Sequence, residues 1–232
     1  MEQTPRIAFD AQLEPRRFRV GLVWASGLNT VVTTGMPSYI ARLMEYVRSK
    51  GESHISPERK AAVRDMLRFG SYKPAGRAKP SSEYLLTAAL AGEFPLVNGP
   101  VDANNAVSLE WGYPASIFDA EKTGLELLVR RGEEGERYIF NASGQEIDLK
   151  DLLVVCRPAQ GGGAEGGAPW SPCGNPVKDA MATKVFEGAR RVVAVVYAPS
   201  SESPAEIEAC SARFAALLTG ECGAESAGYR VY

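Results

Sequence analysis

Histidine is almost missing from this sequence. His54 is the single one in 232 residues, and it sits in a polar stretch between two helix patterns. A Ser-His-Asp triad, a Cys-His pair or a histidine metal site needs an imidazole beside its partners. None of these is expected, His54 reads as a surface residue, and neither a metal nor a cofactor is called for. Cysteine is sparse too: Cys156, Cys173, Cys210 and Cys222 are widely spaced, with no Cys-x-x-Cys. That fits a reduced interior. Cys173, in a glycine-rich stretch, is the thiol most open to reaction. Also missing is any run of about 18 apolar residues, the length a membrane span needs. The start, MEQTPRIAFD, lacks a basic segment followed by an apolar one, as secretion would require. A cytoplasmic protein with no membrane partner is expected. Basic excess is absent as well: 26 Lys and Arg face 28 Asp and Glu, for a net charge of −2. Proteins that hold nucleic acid mainly through phosphates are usually basic. Any RNA contact is therefore local, at Arg16-Arg17-Phe18-Arg19, Arg130-Arg131 or Arg190-Arg191. Each of these reads first as a solvated strand end.

What is present organises itself by periodicity and turn chemistry. Phe18, Val20, Leu22 and Trp24 alternate as in a strand. Ser38 and Ser56-Pro57-Glu58 open two helices, with Gly51 and Gly70 as stops. Residues 71–79 form a basic Pro/Gly link. Helices are predicted over 81–91, closed by Gly92, and over 101–111. Strands are predicted at 125–131, 137–141 and 152–156, with a turn at Ser143-Gly144. The sequon Asn141-Ala142-Ser143 belongs to that turn. Residues 160–176 read as a long glycine- and proline-rich loop. Its glycine run Gly161–Gly167 lacks the Lys-Ser/Thr of a phosphate-binding loop. Residues 191–197 are strongly β-branched, as in a central strand. Ser203-Pro204-Ala205-Glu206 opens the last helix as a capping box. Its Ile207, Cys210, Phe214, Leu217 and Leu218 share one face. The end, 221–232, is a tail or an edge strand. Helices and strands mix without strict alternation, so the expected class is α+β: layers of sheet and helix in a single compact unit.

The segment Pro95–Asp119 carries the most chemistry. It places Asp102, Asn104 and Asn105 in an apolar, helical stretch, then Ser116 and Asp119 after a Gly-Tyr-Pro break. Asp102 can meet the helix dipole. Asparagine is a poor residue inside a helix, so Asn104 and Asn105 either bond to nearby backbone or line a pocket.

Val101-Asp102-x-x-Asn105, an apolar helix, Gly112-Tyr113-Pro114 and Phe118-Asp119 stand in one order. They are followed by Gly135-Glu136, the hairpin turn, the apolar run at 152–156, and Thr183-Lys184-Val185. Together they resemble the B3/B4 domain of the bacterial phenylalanyl-tRNA synthetase β-subunit. The likeness runs from about 79 to 199. Pro80-Ser81-Ser82-Glu83 resembles the opening found in free-standing proteins built on this domain. The implied organisation is a lead-in over 1–78 that completes the core, the domain over 79–199, a helix over 200–220 and a tail over 221–232. The resemblance implies that Asn104, Asn105, Ser116, Asp119 and Thr183 form a substrate pocket, with Pro169–Gly174 as one wall. Its implied partner is a tRNA or the aminoacyl end of one, and its implied activity is hydrolysis of a mischarged ester. In the family a histidine and a glutamate are prominent in that pocket. Ser116 and Val195 stand at those positions here, so catalytic residues are not assigned. Binding of a free amino acid or metabolite without catalysis stays open as the alternative. The oligomeric state is also open.

Overall fold

A computed structural model describes residues 4–159 and 170–232. The described elements run β1 (Arg6–Phe9), β2 (Phe18–Ser26), α1 (Ser38–Lys50), α2 (Pro57–Leu67), α3 (Ser81–Ala91) and α4 (Gly99–Trp111). They continue with β3 (Ala115–Asp119), α5 (Ala120–Thr123), β4 (Glu126–Arg131), β5 (Arg137–Ile139) and β6 (Glu146–Asp148). The last are β7 (Leu153–Pro158), β8 (Trp170–Gly174), β9 (Arg191–Pro199), α6 (Pro204–Gly220) and β10 (Ser226–Val231). The class is α+β, as the mixed pattern predicts.

The β-branched run forms β9, which lies inside an antiparallel sheet of order β10-β2-β9-β3. Val193 to Ala198 are fully buried there, which is why the run is apolar on both faces rather than alternating. A second sheet has the order β1-β4-β7-β8, with β1 parallel to β4 and the other pairs antiparallel. β5 and β6 form a separate hairpin. Its turn is tied by the Asn141 side chain, which accepts from the Gln145 N–H at 3.0 Å. Helix α6 lies against β2 and β10, and α4 contacts both α6 and α3. One continuous cluster of buried side chains runs through both sheets, from Ile7 to Ala224.

Local signals set most boundaries. Ser56 and Ser203 cap α2 and α6 by accepting from the N–H groups of Arg59 and Glu206. α3 spans the predicted residues and ends at Gly92 in the left-handed conformation, φ +78°. Other boundaries shift. Ser38 is the first helical residue of α1 rather than its cap, which is Pro37. α4 starts two residues early because Asn98 accepts from the Val101 N–H at 3.2 Å and Pro100 suits the first turn. α2 stops at Leu67, and the chain then bends through Gly70 so that Phe69 and Tyr72 pair. Residues 226–231 settle as an edge strand on β2.

The loop expected over 160–176 is corrected in part. Trp170–Gly174 is a strand, held by β7 across a register shift at Val155/Cys156. β8 is an edge strand, so Pro172 can sit in it without breaking a ladder on both sides. The Gly161–Gly167 run and Pro169 lie outside the described residues. His54 is half-buried rather than a surface residue: its Nε2 lies 2.9 Å from the Leu109 carbonyl near the end of α4.

Gly174 marks a close approach between layers. A Cβ there would stand 2.5 Å from Phe118 Cε1, in a side chain with no exposure. Gly174→Ala is therefore expected to destabilise the protein by about 1–3 kcal/mol, the usual range for overpacking. Urea unfolding checks this, and Phe118→Leu added to it should recover part of the loss.

Candidate functional site

Helix α4 carries Asn104 and Asn105 to one wall of a cavity of about 240 Å³. Ala115 and Ile117 of β3 form a second wall. Asn175, Lys178 and Asp179, just after β8, form a third with Lys184, and Ser81 at the start of α3 also lines it. Val97, Val101, Val177, Val185 and Phe186 supply the apolar lining. The cavity shares Val177, Lys178, Asp179 and Lys184 with a neighbouring recess of about 590 Å³. Arg77, Lys79, Tyr84, Phe140 and Asn141 complete that recess. Tyr84 is 61% exposed, so its ring is free to stack.

The sequence candidates divide. Asn104 and Asn105 face the cavity. Asn104 Nδ2 lies 3.4 Å from the Ala115 carbonyl, a long contact for a hydrogen bond. Ser116 is fully buried and is not part of the cavity lining. Its hydroxyl lies 3.0 Å from the Tyr197 hydroxyl and 3.3 Å from the Asn175 carbonyl. Asp119 caps α5 through the Glu121 N–H at 3.0 Å and pairs with Lys122 at 2.9 Å. Thr183 donates to the Cys173 carbonyl at 3.1 Å and secures a short turn. Asp102 likewise has a structural task. It accepts from the Val97 N–H at 2.7 Å and the Thr33 hydroxyl at 2.5 Å, while burial raises its carboxyl's pKa.

The reactive reading of Cys173 does not survive. The residue lies in β8 with 1% exposure, and burial drives its thiol well above the usual range. A buried, neutral thiol is a poor nucleophile. The first two basic clusters make contacts within the fold, at the surface for Arg16 and Arg17. Arg130 pairs with Glu136 at 2.5 Å, the Arg131 guanidinium covers the Phe69 ring, Arg17 pairs with Asp65 and Arg16 with Glu14. The basic recess is built instead from Arg77, Lys79, Lys178 and Lys184.

Asp179 is the residue that periodicity could not find. Asn175-Pro176 starts a turn in which Asn175 Oδ1 accepts from the N–H groups of Val177 and Lys178, at 2.8 and 2.9 Å. That turn brings Asp179 to the open edge of β3, where its Oδ2 accepts from the Ile117 N–H at 3.2 Å. Burial pushes the Asp179 carboxyl up to about 7, against the opposing pull of the Ser116 hydroxyl, the Ile117 N–H and the Lys184 charge. Tyr138, Tyr197 and Cys173 also face it, each held neutral by burial.

Residues 72–167 match the family model described as the B3/4 domain. That stretch of the chain resembles a B3/4 domain. Over 119 residues it is 33% identical to the phenylalanine–tRNA ligase β subunit of Synechocystis sp., covering 47% of this chain and 15% of that protein. The β subunits of Geobacter metallireducens and Pseudomonas fluorescens match at 34% over 89 residues and 33% over 79. Those matches cover 38% and 34% of this chain, and 11% and 10% of the relatives. The chain thus spans 15% or less of the length of these three relatives. A crystal structure of an N-terminal fragment of the Pyrococcus horikoshii phenylalanyl-tRNA synthetase β-subunit aligns with a TM-score of 0.47 at 9% identity. That alignment covers 99% of this chain and 52% of the fragment.

The stretch matched by the B3/4 model includes Asn104, Asn105, Ser116 and Asp119 and ends before Asn175, Asp179 and Lys184. Ser116 and Val195, where the resemblance would put histidine and glutamate, are register partners across β3 and β9, both fully buried. In this chain that place is packed core, with the Tyr197 hydroxyl beside Ser116.

A carboxyl raised from 3.8 to about 7 holds a proton that the unfolded chain has already lost between those pH values. Its burial therefore costs stability increasingly as pH rises from about 4 to about 7, then levels off. Asp179→Asn removes that dependence. Urea unfolding of both proteins should show the variant gaining on the wild type across this window. A constant difference would show that the carboxyl is not raised.

Proposed function

We propose that this chain binds the aminoacylated 3′ end of a tRNA, with the aminoacyl group in the smaller cavity and the terminal nucleotide in the basic recess. The observation that carries the reading is the pair of chambers with a common wall. At about 240 Å³ the first lies below the usual range for ligand pockets, which suits a group the size of an amino acid. The second offers cationic side chains for phosphate and exposed Tyr84 for stacking, the combination that holds single-stranded nucleic acid. Its position reconciles RNA binding with a net charge of −2, because the basic groups are gathered locally. The B3/4 match and the named relatives, tRNA ligase subunits, support the same class of partner.

Hydrolysis of a mischarged ester is the catalytic form of this reading. It would run without the family's histidine and glutamate, whose positions Ser116 and Val195 occupy. Their complete burial favours non-catalytic binding, whose second form is a pocket for a free amino acid or metabolite.

Fluorescence anisotropy with tRNAs carrying amide-linked amino acids, which cannot hydrolyse, tests binding. Wild type is expected to bind. Tyr84→Ala should weaken binding roughly five- to hundredfold, the range for losing one base–aromatic stack. Asn105→Ala should weaken it with native circular dichroism. Release of labelled amino acid from a panel of ester-charged tRNAs then separates hydrolysis from binding. Full affinity in both variants would overturn the proposed site.

A further inference from the structure

Among the described residues, three buried polar atoms that line the smaller cavity have no hydrogen-bond partner: Asp179 Oδ1, Asn104 Oδ1 and Ser81 Oγ. They come from three separate parts of the chain: the turn after β8, helix α4 and the start of α3. Proteins rarely leave buried polar atoms unmatched, because each has given up its water for nothing. Ten such atoms occur among the described residues, and it is the convergence of three of them on one cavity that points to a missing partner.

The chemistry of the three atoms says what the partner supplies. An amide oxygen accepts only, the Asp179 carboxyl accepts only once it is ionised, and a hydroxyl oxygen can accept. We propose that Asp179, Asn104 and Ser81 form a recognition site for a primary ammonium group, the α-amino group of the bound amino acid. An ammonium offers three donors and no acceptor, which matches the unpartnered set. A ligand carboxylate would instead meet the negative charge of Asp179.

The two lysines of the cavity wall do not fill this role. Lys184 Nζ donates to the Phe140 carbonyl at 2.6 Å, and Lys178 Nζ lies 3.8 Å from the centre of the Phe140 ring. Both charges are drawn to the recess side, where a phosphate would sit. The Asp179 carboxyl, raised by burial in the free protein, would return to the ionised form beside a cation.

For the identity of the ligand, this inference rests on the aminoacyl-end reading; for its chemistry it rests on the cavity alone. Thermal unfolding of the full chain with L-alaninamide, lactamide and N-acetyl-L-alaninamide tests it. The second compound replaces the ammonium by a hydroxyl, and the third blocks it. L-alaninamide should raise the unfolding temperature in a saturable way, and the other two should not. Asp179→Asn should lose the response. Ser81→Ala, which removes an atom that has no partner among the described residues, should fold normally and need a several-fold higher concentration for the same shift. It decides the matter if Asp179→Asn does not fold.

Equal shifts from lactamide, no shift from any compound, or an unchanged response in Ser81→Ala would overturn the ammonium site. The tRNA assay keeps the two proposals apart. Binding of aminoacyl-tRNA that N-acetylation does not weaken would remove the ammonium site and leave the tRNA reading standing. A response to L-alaninamide without tRNA binding would do the reverse.

Discussion

Strand β9 is the constraint on which the other elements depend. From Val192 to Ala198 no residue exceeds 1% exposure. A backbone buried to that degree must pair its N–H and C=O groups on both sides. β2 pairs along nine residues on one side and β3 along five on the other. Residues 18–26 and 115–119, about a hundred positions apart, become neighbours of one strand. The first third of the chain thereby contributes to the same sheet as the strand beside the cavity. Among the described residues, five-residue β3 has no further strand on its outer edge, and the turn after β8 covers it through the Ile117–Asp179 contact.

That edge explains where a cavity can form. A sheet edge exposes polar backbone that something must satisfy. Here a turn satisfies it rather than a strand, and a turn does not lie flush against α4. The gap left between them is the cavity. Its walls are polar because the segment covering the edge reaches across with side chains such as Asp179. Proximity to α4 then brings in Asn104 and Asn105.

Two kinds of buried polar residue bear on the cavity. Asn98, Asp102, Ser108, Asn175 and Asp119 bond to backbone groups and hold caps and turns. Asp179 and Asn104 bond only in part and keep an oxygen facing the cavity. The sequence displays both kinds alike, as polar letters in apolar surroundings. Asn104 and Asn105 were legible as cavity candidates, with local backbone bonding as the alternative, because asparagine is a poor residue inside a helix. Ser116 and Thr183 were legible as important positions, but their partners proved to be Tyr197 and the Cys173 carbonyl, within the core. Asp179 was not legible, since an acidic residue after Asn-Pro resembles any exposed turn.

The sequence by itself determined the elements whose causes are local: α3 with its glycine stop, the serine caps of α2 and α6, and the β-branched identity of β9. It also determined the B3/4 resemblance, because that rests on residue order. Tertiary structure alone decided the strand in Trp170–Gly174, the burial of Cys173, the internal use of Arg17 and Arg130, and the convergence of Ser81, Asn104 and Asp179. Except for the Arg130–Glu136 pair, six residues apart, the deciding partner in each of these lies far along the chain. Short-range patterns record what a residue prefers, whereas hydrogen-bond satisfaction and burial depend on what the fold places beside it.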